Sequence, residues 1–190
     1  LLLFAQLLVG VFTFQDYGMT WDERLYYSYA DSIGYAYSIP EHLSDDFNIR
    51  NAFGPSADDH KIYGPAYLLL ARNGVYALEA TTSADKIASW HLVNFITFLI
   101  GAYFLYQLSL RWMQPWGAFA GVLLYATQPL LWGHGFINPK DPPFTTIFII
   151  TLYFGFKMVD QLALTEASPR SRAKRVWGWV IWLGILIGLA

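Results

Sequence analysis

The chain has 190 residues, 55% of them hydrophobic and only 14% charged, with a net charge of −2 and no cysteine. Globular chains carry about 25% charged residues, and here the charge is missing in blocks, which points to membrane spans. The balance offers nothing to a nucleic acid, and the lack of cysteine excludes disulfides and thiolate metal sites.

The first apolar run, 1–15, reads "LLLFAQLLVGVFTFQ". It is shorter than the about 20 residues a helix needs to cross the hydrocarbon core. A long polar connection, 16–86, follows and holds 11 of the 14 acidic residues. Within it "TWDERLYYSYADSIGYAYSI" has helical spacing and should end near Gly34 or Pro40. A second amphipathic stretch, "YGPAYLLLARNGVYALEA", starts after Gly64-Pro65. Both are expected to lie along the membrane interface with the apolar face down.

The second span, 87–110, has 24 residues without a charge. The third covers about 115–135 and the fourth about 143–162, opened by Pro142 and Pro143, which suit a first helical turn. His91 and Asn94, inside the second span, should face the protein interior and hydrogen-bond there. The fifth span starts at 176 and runs to 190 without a flanking charge. The expectation is therefore an all-α, polytopic membrane protein with about five transmembrane helices. The 190 residues would be the N-terminal part of a single transmembrane catalytic domain whose remainder lies beyond them.

Arg170, Arg172, Lys174 and Arg175 crowd the connection at 168–175, and the positive-inside rule makes it cytoplasmic. Counting back, Arg111 is also cytoplasmic, and the loops 16–86 and 134–142 face the other side. Trp112, Trp116, Trp132, Trp177 and Trp179 fall near the proposed span ends, as an aromatic belt requires.

Two constellations share that external side. Asp22 and Glu23 stand side by side just past the first span. Thr20-x-x-Glu23 is also a capping box, so Glu23 has a structural reading of equal weight. Asp22 would point about 100° away from Glu23, and partial desolvation at the membrane rim would make it a better base. The second constellation is "HGFINPKDPPF", 134–144, which brings His134, Asn138, Lys140 and Asp141 into one proline-stiffened turn. Lys140 can meet a phosphate as a point charge. Asp141 can hold a metal or orient a sugar hydroxyl. His60 and Lys61 in "DDHKIYGP" form a third, weaker group.

The lines "GMTWDERLYYSYADSI" and "HGFINPKDPPF" resemble the GT-C superfamily of membrane glycosyltransferases. The nearest group is glycosyltransferase family 39, the protein O-mannosyltransferases and aminoarabinose transferases that use polyprenyl-phosphate sugars. Where many members carry His-Pro-Pro, this chain reads "HKIYGPAY". The resemblance implies that Asp22 is the catalytic base, with Glu23 holding the acceptor or the base. It implies that Asn138, Lys140 and Asp141, helped by Arg24 and His60, contact the donor phosphate or sugar. A divalent metal is a possible cofactor, with Asp22 and Asp141 as its candidate ligands.

The expected activity is sugar transfer from a polyprenyl-phosphate donor to a hydroxyl-type acceptor by direct displacement with inversion. The implied partners are that lipid-linked donor, membrane lipids, and a protein, lipid or glycan acceptor. The implied location is the bacterial inner membrane rather than the endoplasmic reticulum, with the first loop periplasmic. A transporter or flippase would instead place ionisable groups mid-span, and a non-catalytic scaffold would use the loops to dock a partner.

Overall fold

A computed structural model describes residues 1–56, 63–163 and 169–189. Every regular element among them is helical, and no strand occurs. The apolar runs become α1 (Leu2–Thr13), α5 (Lys86–Ser109), α6 (Pro115–Thr127), α7 (Pro129–Ile137), α8 (Asp141–Ala163) and α9 (Pro169–Leu189). The first polar connection folds into α2 (Glu23–Ser32), a short α3 (Ile39–His42) and α4 (Ala66–Thr81), with 3-10 turns at Ile33–Tyr37 and Ile49–Ser56. Two helices, α5 and α8, are long and apolar enough to cross a membrane; α1 and the Val176–Leu189 part of α9 are shorter apolar helices.

Local chemistry sets the helix ends. The Asp85 carboxylate accepts the Ala88 N–H at 2.8 Å and so caps α5. The run expected as one span at 115–135 is broken in two. Gln128 is extended, at φ −65° and ψ 122°, because it precedes Pro129 and the proline ring disfavours helical backbone there. Its side-chain oxygen then caps α7 by accepting the Leu131 N–H at 2.6 Å. Upstream of the fourth span, Asn138 Oδ1 accepts the N–H groups of both Lys140 and Asp141 at 3.0 Å, so α8 begins at Asp141 rather than 143.

α5 is the central helix. Gly101 lets α8 approach closely: a Cβ there would stand 2.4 Å from Thr146 Oγ1. On other faces α5 meets α1, where Phe95 lies against Gly10, and α7, where Phe95 stacks on Phe136 at 4.0 Å. The helices alternate in direction. Phe14 at the end of α1, His91 near the start of α5 and Asp141 at the start of α8 lie at one end of the bundle. Arg111 and Asp160 are paired at the other, with Nη2 to Oδ1 at 2.9 Å.

The first connection packs as a small domain over the site end. Tyr27, Tyr29 and Ile33 bury against Leu68, Ala71 and Val75 of α4 and against Trp90 of α5. Tyr27 stacks on Trp90 at 4.6 Å. The apolar face of α2 is thus spent on protein rather than on a membrane surface. Leu68 is buried and Leu70 is exposed on the opposite side of α4.

Candidate active site

Between α2 and the α7–α8 turn lies a cleft of about 240 Å³. Thr20, Trp21, Asp22 and Tyr26 form one wall; His134, Asn138, Lys140 and Asp141 contribute to the other. Segments more than a hundred positions apart in the chain thus meet, and they are the two singled out from the sequence. Asp22 and Asp141 are exposed within it.

The turn is rigid. Asn138 Nδ2 donates to Asp141 Oδ2 at 2.9 Å and lies 3.2 Å from His134 Nδ1. Asn138 therefore spends its amide on the loop itself, orienting Asp141. Lys140 makes no ion pair among the described residues; its Nζ lies 5.1 Å from the centroid of the Tyr63 ring. Tyr26 was not anticipated. Burial, helped by Tyr63 and by the negative charges of Asp22 and Asp141, pushes its phenol up to about 12. Its hydroxyl stays protonated at neutral pH and is hydrogen-bonded to Tyr63 beside the cleft.

Glu23 differs sharply from Asp22. It is fully buried, and its carboxylate accepts the Thr20 N–H, the Tyr27 hydroxyl at 2.7 Å, and meets His91 Nε2 at 2.7 Å. Burial pushes its carboxyl up, but the bonds to His91, Thr20 and Tyr27 together outweigh burial and hold it below its ordinary value. The capping reading is half realised. Glu23 reaches back to Thr20 N–H, but the Thr20 hydroxyl lies 3.5 Å from Ile137 O instead of closing a box. Glu23 is fully buried and does not line the cleft.

Arg24 does not share the cleft with Lys140. It lines a neighbouring hollow of about 740 Å³ together with Met19, Leu25, Ser28 and Pro55, on the far side of the exposed Trp21. His60 and Lys61 lie outside the described residues. On the other flank, the cleft continues into a groove of about 330 Å³. That groove runs from Lys140 and Asp141 past Tyr67, Phe144 and Ile147 to Gly188 and Leu189 of α9.

Among the described residues no three His, Asp or Glu side chains converge on one point. Asp22 and Asp141 nevertheless line the same cleft. Two carboxylates suit a magnesium-like ion whose remaining ligands are water and a substrate phosphate. Comparison of the chain with protein-family models, curated protein sequences and solved structures finds no match.

Proposed function

We propose that the chain is the catalytic part of an integral membrane glycosyltransferase that takes a sugar from a polyprenyl-phosphate donor. The observation that carries this reading is the cleft itself. It sets a carboxylate, Asp22, opposite a cation, Lys140, that makes no ion pair among the described residues, and it opens into a largely apolar groove. A lipid-linked sugar needs those three things in that order: a base at the sugar, a cation at the phosphate and an apolar track for the chain.

In the reaction, Asp22 removes the proton from the acceptor hydroxyl as its oxygen bonds to the anomeric carbon. The bond from that carbon to the phosphate oxygen breaks, and polyprenyl phosphate departs with the electron pair. A positioned base contributes roughly 10²–10⁴-fold in typical enzymes. Lys140 stabilises the charge growing on the departing phosphate. One displacement from the face opposite the leaving group inverts the anomeric centre, in keeping with the single-step logic of inverting glycosidases. Where a divalent ion takes part, Asp22 and Asp141 would hold it, and it would neutralise phosphate charge.

The membrane arrangement belongs to the same proposal. Five crossings are formed by α1, α5, the α6–α7 pair, α8 and α9, with the cleft at the external, periplasmic face of a bacterial inner membrane and residues 168–175 in the cytoplasm. A transport reading finds less support. The ionisable groups of the long helices are engaged within the protein: His91 with Glu23, Asp160 with Arg111, and Lys157 against Tyr153.

The proposal is tested by following transfer from radiolabelled polyprenyl-phosphate mannose, and in parallel from the aminoarabinose donor, with the full-length protein in nanodiscs and a membrane extract as acceptor. Lys140→Ala should weaken donor binding, and the anomeric configuration of the product should be the inverse of the donor's. Retention of configuration would contradict direct displacement.

A further inference from the structure

We infer that His91 is a positioning residue for the transfer proposed above: its buried bond to Glu23 holds Asp22 at the cleft. The inference rests on that reading of the cleft but on different atoms. Glu23 and His91 are both fully buried. A buried ionisable pair is costly unless each lone pair and proton is satisfied, and here they are. His91 Nε2 faces Glu23 Oε1 at 2.7 Å and Nδ1 faces the Phe14 carbonyl at 3.3 Å. Both ring nitrogens thus face oxygen atoms. Glu23, in turn, accepts from Thr20 N–H and Tyr27 as well as from His91.

The geometry links this pair to Asp22. Glu23 reaches back to Thr20, closing a short loop of chain that contains only Trp21 and Asp22. Trp21 and Asp22, two of the four residues of the cleft's first wall, are therefore fixed by one carboxylate, which is itself fixed by His91. One turn along the same face of α5, Asn94 holds the second wall: its Nδ2 donates to the Phe136 carbonyl of α7 at 3.0 Å, and its Oδ1 accepts from Tyr67 at 2.7 Å. Residues three apart on a helix share a face. α5 thus grips both walls from below, and its register sets the distance between Asp22 and the Asn138–Asp141 turn. The groups facing His91 are Glu23 of α2, with Tyr27 beyond it, and Tyr17 edge-on at 6.3 Å from the segment after α1.

Glu23→Gln preserves shape, since a singly protonated His91 can accept from the new amide, while it removes the charge. His91→Gln keeps one donor toward Glu23 and loses the tie to Phe14. A small misplacement of a catalytic group can cost about 10²-fold. In nanodiscs, with polyprenyl-phosphate mannose as donor, each variant should lower kcat about 10- to 100-fold with the donor KM and donor binding unchanged. The double variant should be no worse than the poorer single, because the two residues act as one unit.

A second arm needs no turnover. Spin labels on Trp21→Cys and Phe144→Cys, in a background where any other cysteine is replaced, should give a narrow distance distribution that broadens in either variant. Folded variants with wild-type kcat and an unbroadened distribution would overturn the inference, as would losses that multiply in the double variant. A wild-type protein that transfers no sugar would overturn the transfer reading instead, and the spin-label arm would then decide the positioning alone.

Discussion

Asp22 and Glu23 are adjacent in the chain and occupy opposite environments, one exposed in the cleft and one fully buried beneath it. That split assigns them different tasks. A base must reach substrate and exchange its proton with water, whereas a carboxylate enclosed by three donors is a fixed point in the structure. The enclosure predicts a pH dependence of stability. Because the folded Glu23 carboxyl lies below its ordinary value of 4.5, the stability it contributes is present above that value and is lost as pH falls through the lower folded one. Thermal unfolding in detergent between neutral and acid pH should show a wild-type advantage over Glu23→Gln that shrinks as pH falls below the ordinary value. A constant gap would show that ionisation of Glu23 contributes nothing. Tyr27→Phe keeps the stack on Trp90 and removes one donor from Glu23, and should cost about 1–3 kcal/mol in the same measurement.

At the scale of the elements, the interface of α5 with α8 depends on Gly101. A methyl group there would meet Thr146 Oγ1 at 2.4 Å, so Gly101→Ala should destabilise by roughly 1–3 kcal/mol through overpacking. Gly101→Ala combined with Thr146→Ser, which leaves the hydroxyl in place, should recover little of that loss; Thr146→Ala, which removes it, should recover most. That the apolar runs form helices was legible in the sequence, and two of them, α5 and α8, are long and apolar enough to cross a membrane. The break at Gln128 was also available, in the Gln-Pro pair, but is easily overlooked inside an apolar run. The inward turn of α2 was not legible. A tyrosine-rich helical face suits a membrane interface and a protein core equally well, and only the pairing with α4 and Trp90 decides between them. Likewise Asn138 looked like a ligand-binding residue, but its amide is taken up by backbone N–H groups and by Asp141.

For the whole molecule, the two motif lines were visible as sequence and the charge topology put them on one side; the fold joins them because α5, α6 and α7 return the chain to the end where α1 left it. What the sequence withheld is the support beneath them. His91 and Asn94 read as generic interior polar residues until Glu23 and Phe136 are seen beside them. The alternating helix directions predict sidedness as well. In a cysteine-free background, a membrane-impermeant thiol reagent applied from the external side should label Ser83→Cys at the cleft end. Met113→Cys, at the opposite end, should react only after permeabilisation. The most direct test of the central claim is sugar transfer from the polyprenyl-phosphate donor by wild type and by Asp22→Asn, each in nanodiscs and each with its thermal unfolding measured alongside. The account predicts a loss of about 10²–10⁴-fold in Asp22→Asn with folding and donor binding intact. Transfer at the wild-type rate by folded Asp22→Asn would contradict it.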